Sequence, residues 1–504
     1  MRNAIFMGLG NPGSFNRLFI ISALIYAYFV GGYLSNTMTN SMATLTIALI
    51  DDRSLIIDKY TQHDRDVSRS ENHLYSGMPP GLSIFLIPVY LGMKIPLALI
   101  PNSILNKLDD TVTRGLQEKH TGFHPSEKRA LILLLLIFGV VFLAAPFTLI
   151  LGYYFITIYQ SLYPNQKRLL LPLLCFLLLG TGIADFTATI YHTTIATVIV
   201  WVTFVNWMEN FGKQRKPKEL IFIGMALGTI PPLDYPAIIY PAILLPAILL
   251  SQPKKGRLKS GLKILLGAAI PITLMALYHT LAFGKPWLTA YHMRIVNLEH
   301  HFQNLNGIWK VIPDTQRIVR IFTDSRCNLP LFNPLLPLGL IASGFHYYKA
   351  KEEKLKFLWA TAFLLMLVNI SYYGAIPMSL NPSGGSYGAR YTIYSVPFGL
   401  LALVPFFSKL FKTVGKNIFY IILALFSMPA WMYLFYGSPN RPIGTYLDYL
   451  MHIGPTNYTL FKAYEAGWIK NPLFFSYCGI FILSLISYGI WKIDFKNLSK
   501  TAGV

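Results

Sequence analysis

The reading of this chain turns on residues 35–83, SNTMTNSMATLTIALIDDRSLIIDKYTQHDRDVSRSENHLYSGMPPGLS. The stretch sets Asp51, Asp52, Asp58, Asp64, Asp66 and Glu71 beside Arg53, Lys59, Arg65 and Arg69, with apolar sequence on both sides. A long charged loop between apolar segments is the kind of element that carries function. Within it, Asn40 to Ile50 spaces Met42, Leu45, Leu49 and Ile50 by three and four, which predicts a short amphipathic helix N-capped by Thr39, Asn40 or Ser41. Asp51 and Asp52 then fall at the end of that helix, and Pro79-Pro80-Gly81 closes one element and opens the next.

The rest of the chain explains why such a loop stands out. Of 504 residues 54% are hydrophobic and 13% charged, with mean hydropathy +0.46, against about 25% charged in soluble domains. The expected class is an all-α, polytopic membrane protein of about 12 transmembrane helices forming one domain over residues 1–504. Apolar runs predict spans near 17–35, 130–158, 169–184, 186–208, 219–233, 236–251, 264–283, 331–348, 357–375, 393–408, 417–437 and 472–491. The first run, Leu18 to Leu34, is long enough to span and lacks a small-residue cleavage site, so a span is expected there rather than a signal peptide. Cys175, Cys327 and Cys478 lie too far apart to suggest a disulfide framework or a metal site.

Charge orients the spans. Lys167 and Arg168, Lys213 to Lys218, Lys254 to Lys263, Lys349 to Lys356, Lys409 to Lys416, and Lys492 to Lys500 form six basic clusters. With twelve spans and a cytoplasmic N-terminus all six lie in the cytoplasm, as the positive-inside rule requires, and the C-terminus lies there too. The long loops at 36–129, 284–330, 376–392 and 438–471 then share the opposite face. To keep this parity, the run Gly81 to Pro101 is read as a second interfacial helix of the first external loop; the alternative is a span there, with a later segment such as 219–233 failing to cross. The net charge of +21 accordingly reports basic loops beside anionic lipid, and no nucleic-acid partner is expected.

Five external motifs follow in order: LGTGIADFTATIYHTTIA (Leu179 to Ala196), DYPA (Asp234 to Ala237), LYHTLAFGKPWLTAYH (Leu277 to His292), FTDSRCNLPLFNPLL (Phe322 to Leu336) and GGSYGARYTIYSVPFGL (Gly384 to Leu400). Together with the Ile57-Asp58 and His73 to Gly81 signatures of the first loop, they resemble the GT-C class of membrane glycosyltransferases. The likeness is to the branch of protein O-mannosyltransferases and lipid A aminoarabinose transferases, its uncharacterised bacterial members closest, and it covers about residues 15 to 410.

The resemblance implies transfer of a sugar, with inversion, from a polyprenyl-phosphate-linked donor to a glycan, lipid or protein acceptor outside the cytoplasm. It implies a bacterial inner membrane, membrane lipids as partners, no cofactor, no nucleotide and no metal. Such chemistry needs a carboxylate as base and cationic groups for the departing phosphate. Relatives carry the catalytic acid immediately after the first span, where this chain reads SNTMTNS, and a Lys where this chain has Met78. The base is therefore sought at Asp58 and Asp66, which match acidic positions of the family loop, and at Asp185 in its apolar setting.

Tyr75, His192, Asp234, Arg326, Arg390 and Tyr391 are the expected substrate-binding residues. His192, seven residues after Asp185, falls on the same helical face, and Arg390 follows a glycine-rich turn that a phosphate could approach; Arg326 could instead pair with Asp324. The rival expectation is a lipid-linked glycan transporter or a non-catalytic protein of the same fold. Walker and zincin signatures are absent from the sequence, and no G-x-G-x-x-G is expected after a strand.

Overall fold

The computed structural model describes residues 12–31, 37–61, 66–101, 103–107, 109, 128–254, 256–293, 315–324, 329–375, 390–436, 443–457, 460–461, 464, 467 and 469–492. Among them helices predominate. Helix α1 (Pro12–Tyr28) is followed by α2 (Thr37–Ile47), which runs on through one π turn (Ala48–Asp52) and stops at Arg53, held left-handed at φ 52. Strands β1 (Val67–Ser70) and β2 (His73–Ser76) come next, then α3 (Gly81–Leu97), α4 (Arg129–Gly139) and, across a second π turn (Val140–Ala144), α5 (Ala145–Leu162).

The middle of the chain holds α6 (Lys167–Leu179), α7 (Gly182–Ala188), α8 (His192–Glu209), α9 (Pro217–Leu233), the 3-10 turn Tyr235–Ile238, α10 (Ile239–Leu250) and α11 (Arg257–Phe283). After the 3-10 turn Ala290–Met293 come α12 (Thr315–Thr323), α13 (Leu329–Phe332), α14 (Leu335–Lys349), α15 (Glu353–Ala375), the 3-10 turn Arg390–Ser395, α16 (Val396–Tyr436), α17 (Ile443–His452) and α18 (Pro472–Lys492). Gly415, at φ 79 and ψ 167, breaks α16 into two helices between the basic residues Lys412 and Lys416.

A helix lies on each segment expected as a span, and the fold is that of a helical membrane protein. Five described helical segments are long and apolar enough to cross a bilayer alone, and α6 with α7, bent by 46°, passes the same test only as a pair, the form of a broken span or a re-entrant loop. Two arginines of the basic clusters close the helices that precede them: Arg215 donates to the carbonyls of Asn206 and Trp207 at the end of α8, and Arg257 to those of Leu250 and Gln252 at the end of α10.

Three expectations about local structure are corrected. First, the fold is not purely helical: β1 and β2 form an antiparallel hairpin with Ser70 opposite His73. Its two connecting residues, Glu71 (φ 49) and Asn72 (φ 69), both take positive φ, the geometry of a type I′ turn that matches the strand twist. Second, α2 begins at Thr37 and is not an interfacial amphipathic helix, because Thr39 to Ile47 are all buried. Its hydroxyls are satisfied internally: Ser41 donates to Ser76 Oγ (2.9 Å), Thr46 to the carbonyls of Met42 and Ser83 (3.0 Å each), and Ser83 donates back to the Met42 carbonyl (2.9 Å).

The third correction concerns the helix expected to carry both Asp185 and His192. Ile190 at φ 48 and an extended Tyr191 end α7 and start α8, so the two side chains do not share one helical face. Helix α3 does match an interfacial or membrane setting. Leu82, Leu86, Tyr90 and Met93 pack inward, whereas Ile84, Leu91 and Ile95 on its other faces are exposed, as in a helix placed between protein and lipid.

Helices α9 and α11 approach closely through the Gly224-x-x-x-Gly228 pair and Gly267. A Cβ at Gly224 would lie 1.9 Å from the Ile264 carbonyl oxygen, at Gly228 2.6 Å from that of Ala268, and at Gly267 2.1 Å from that of Ile221. Such small-residue seams let membrane helices gain packing where burial from water supplies little. Gly224→Leu is therefore expected to separate the pair at a cost of about 1–3 kcal/mol. A lowered thermal midpoint in detergent, with Gly92→Ala unchanged because Gly92 faces open space, checks this.

Candidate functional site

The site is organised where the chain leaves α1. Gly31 N–H donates to the Ala188 carbonyl at 3.2 Å, which ties that exit to the end of α7. Thr37, the first residue of α2, donates its hydroxyl to the Asp66 carboxylate, 29 residues further on. The hairpin brings Asp66 there. Gly77 N–H donates to the Asp66 carbonyl at 2.8 Å, and a Cβ at Gly77 would lie 2.5 Å from that same carbonyl, so the return path admits only glycine. A carboxylate thus stands at the N-terminus of α2, where the helix dipole favours negative charge, although the sequence there holds no acid.

Three more elements meet at the same place. Met38 packs against a small apolar cluster of Phe186 on α7, Tyr191 before α8, and Ile393 in the turn Arg390–Ser395. Asp185, next to Phe186, is 2% exposed, and its Oδ1 has no hydrogen-bond partner among the described residues. The same holds for the buried hydroxyls of Thr193 and Thr194 in the first turn of α8 and of Ser395 in the adjoining turn. Buried polar atoms are seldom left unpaired in folded proteins, so this concentration on neighbouring segments marks an interior built for polar contacts.

A chain of buried polar groups continues from it. Asp234, fully buried, accepts from Tyr394 Oη at 2.9 Å and faces His192 Nε2 at 3.9 Å. Tyr394 stacks on Tyr240, centroids 4.4 Å apart, and Asn369 on α15 donates its amide to the Tyr240 hydroxyl. Next to Asp234, Tyr235 Oη lies 2.7 Å from His279 Nε2, and His279 Nδ1 lies 3.1 Å from the Pro286 carbonyl. Because that carbonyl only accepts, Nδ1 carries the proton and Tyr235 donates to Nε2. The first loop docks on this region directly: a Cβ at Gly81 would lie 2.5 Å from the Pro232 carbonyl oxygen.

The structure thus gathers Asp66, Asp185, His192 and Asp234 onto adjoining segments. His192 meets Asp234 rather than pointing along one face with Asp185. Tyr75 is buried on β2, edge-on to Phe283 with centroids 5.6 Å apart, and belongs to the wall of the loop. Asp58 serves the hairpin: its carboxylate accepts from Leu74 N–H at 2.5 Å and lies 2.8 Å from His73 Nδ1, half-exposed. Arg326 lies outside the described residues; Arg390 and Tyr391 open the 3-10 turn that carries Ile393 and Tyr394, and their side chains lie outside the description. Of the loops expected to be external, 376–389 lies outside it, and 284–293, 315–324 and parts of 443–471 lie within it.

Sequence reasoning missed Tyr240, Asn369 and Tyr394. Tyr394 follows Arg390 by four residues inside a quoted motif and was within reach; Asn369, in the apolar run of α15, was an available signal of a buried polar group. It also left Asp51 as a mere helix end. Asp51 accepts from Tyr90 Oη (2.7 Å), Lys94 Nζ (2.8 Å) and Lys128 Nζ (2.7 Å), joining the ends of α2 and α3 to the start of α4. Asp52 beside it pairs with Lys59 at 3.4 Å and accepts from Tyr60.

No family model and no curated protein matches the chain. Among solved structures it is similar to the archaeal oligosaccharyltransferase AglB from Archaeoglobus fulgidus, determined in complex with an inhibitory peptide and a dolichol-phosphate. The identity is 11% and the TM-score 0.48, over 83% of this chain and 55% of that one, so this chain spans about half the length of that enzyme. The chemistry of the site consequently rests on its own residues.

The Asp51 cluster sets a pH dependence. Burial alone would raise its carboxyl, but hydrogen bonds from Lys128, Lys94 and Tyr90 and the Lys128 charge outweigh it and hold the group at about 2, below its ordinary 3.8. A depressed carboxyl contributes stability that is complete above its unfolded value and is lost as pH falls through the folded one. The thermal midpoint is expected to fall between about pH 4 and pH 2, and Asp51→Asn to lower it at pH 7 and flatten that step. Melting curves against pH check this; an unchanged acid limb in the variant contradicts it.

Proposed function

We propose that the chain is a GT-C class membrane glycosyltransferase that moves a sugar from a polyprenyl-phosphate-linked donor to an acceptor on the non-cytoplasmic side of a bacterial inner membrane. The observation that carries this reading is the Asp66 carboxylate at Thr37, at the exit of the first span and the start of α2. This is where the resemblance calls for the catalytic acid and where the local sequence has none. Asp185, buried and with one oxygen unpaired, supplies a second carboxylate on an adjoining segment. Five helical segments able to cross a bilayer, up to six with the bent pair, support a polytopic arrangement, and the basic clusters of the sequence are the ground for putting both termini in the cytoplasm.

The step conserves atoms and charge. The acceptor hydroxyl oxygen attacks the anomeric carbon, the bond from that carbon to the phosphate oxygen breaks, and its electron pair leaves with the lipid phosphate. A carboxylate takes the acceptor's proton, and Asp66 holds that role because its partner Thr37 fixes it at a helix N-terminus. Arg390 and Tyr391, which begin the turn beside Tyr394, are the groups assigned to the phosphate, with Arg326 the second cation. His192, Asp234 and Tyr75 line the remaining walls.

The test reconstitutes the purified protein with a polyprenyl-phosphate sugar and follows both donor binding and transfer. Asp66→Asn is expected to keep donor binding and to slow transfer by about 10²–10⁴, the usual contribution of a positioned base. Thr37→Val should slow it less, since the acid remains but is unpinned. Wild-type protein that neither binds nor consumes the donor would sink the assignment; full activity in Asp66→Asn would move the base to Asp185 or Asp58.

A further inference from the structure

The ends of α2 and α3 and the start of α4 meet around Asp51, and the charges there are ordered by depth. The Asp51 side chain is 16% exposed and accepts from Lys94 and Lys128, whose side chains are 48% and 33% exposed. The two ammonium groups therefore lie outside the carboxylate that holds them. Lys59, paired with Asp52, is likewise the more exposed partner of its pair, and Arg53 stands exposed at the left-handed turn that follows. Four cations gather around two carboxylates, and the face they present is cationic.

This face adjoins an apolar one. On α3, Ile84, Leu91 and Ile95 are spaced by seven and four and form one exposed stripe, opposite the buried Leu82, Leu86, Tyr90 and Met93. Lys94 stands three residues after Leu91 and four after Tyr90, so it borders the stripe on one side and the Asp51 cluster on the other. Lys94 donates one N–H to Asp51, and an ammonium has three, which leaves it donors for an acceptor at the surface. A soluble anion would pair with these cations and leave the stripe uncovered. A lipid whose headgroup carries no net charge would cover the stripe and bring nothing to offset the excess of cations.

We infer that the end of α3 and the start of α4 form a binding site for one anionic glycerophospholipid of the surrounding membrane, with its phosphate at Lys94, Lys128 and Arg53 and an acyl chain along Ile84, Leu91 and Ile95. Charge complementarity selects the headgroup, and the apolar stripe that begins at the same lysine selects a lipid over a free phosphate. Asp51 holds the two ammonium groups in place before the lipid arrives, which lowers the ordering cost of binding. The inference concerns binding alone and holds whether or not the chain transfers sugars.

The test uses the full-length chain in detergent with equal amounts of phosphatidylglycerol and phosphatidylcholine of the same acyl chains, and counts bound lipid by native mass spectrometry. Retention of phosphatidylglycerol about tenfold or more above phosphatidylcholine supports the site. Lys94→Gln is expected to reduce that preference about fivefold, the effect of one cation beside an anionic lipid. Since Lys94 also holds Asp51, Arg53→Gln is the second variant: Arg53 makes no hydrogen bond among the described residues, so its change is expected to weaken the preference without lowering the thermal midpoint measured free of lipid. Ile95→Ser, on the exposed stripe, is expected to weaken retention of both lipids. Equal retention of the two lipids, a preference unchanged in both cation variants, or displacement of phosphatidylglycerol by an equal concentration of soluble glycerophosphate overturns the inference.

Discussion

Helix α2 is buried on every side except at its first residues, although six of its eleven residues carry a hydroxyl or an amide. In a protein dominated by apolar surface this is the constraint on which the first loop and the helices around it depend. A buried hydroxyl without a partner costs about 1–3 kcal/mol, so each one on α2 dictates what must lie against it. Ser41 fixes β2 through Ser76, and Thr46 and the Met42 carbonyl fix the start of α3 through Ser83. Once the hairpin and α3 are held, the position of Asp66 follows, because its carbonyl is bonded to Gly77 at the foot of β2.

The acids of the first loop look alike in sequence and differ entirely in setting. Asp51 is spent on two lysines and a tyrosine and clamps three helix ends. Asp58 is spent on the backbone of β2 and on His73. Among the described acids of the loop, Asp66 is the one brought to the exit of α1, where Thr37 at the N-terminus of α2 donates to it. A carboxylate locked between cations, as Asp51 is, is a poor base, since its proton affinity has been given up to them.

Asp185, His192 and Asp234 form the opposite side, and their arrangement depends on breaks in helices rather than on helices. Asp185 sits on α7, a two-turn helix set off by a 46° bend from α6 and by the left-handed Ile190 from α8. The second break turns His192 toward Asp234, and Asp234 itself stands where α9 gives way to a 3-10 turn. Broken helices expose backbone groups and polar side chains inside a membrane protein, and they persist where a cavity or ligand uses them. The helical-face argument that joined Asp185 to His192 failed because nothing in FTATIYHTTIA signals a non-glycine residue at positive φ.

The apolar runs by themselves determined the class of this protein and the place of its apolar helices, because hydrophobic length is a local property that each segment expresses alone. Asp185 was legible as an acid in an apolar setting, Asp234 by its place beside Tyr235-Pro236 at the end of an apolar run, and Asp66 only through the resemblance of the first loop. Which acid stands at the exit of α1 was decided only by the tertiary structure. That answer needs a type I′ turn at Glu71–Asn72, a glycine at 77 and a hydroxyl at Thr37 acting together across 29 residues. Such a contact has no period or composition to betray it: a hairpin's return is set by backbone geometry and by the hydroxyls of α2, and a sequence read one window at a time contains neither.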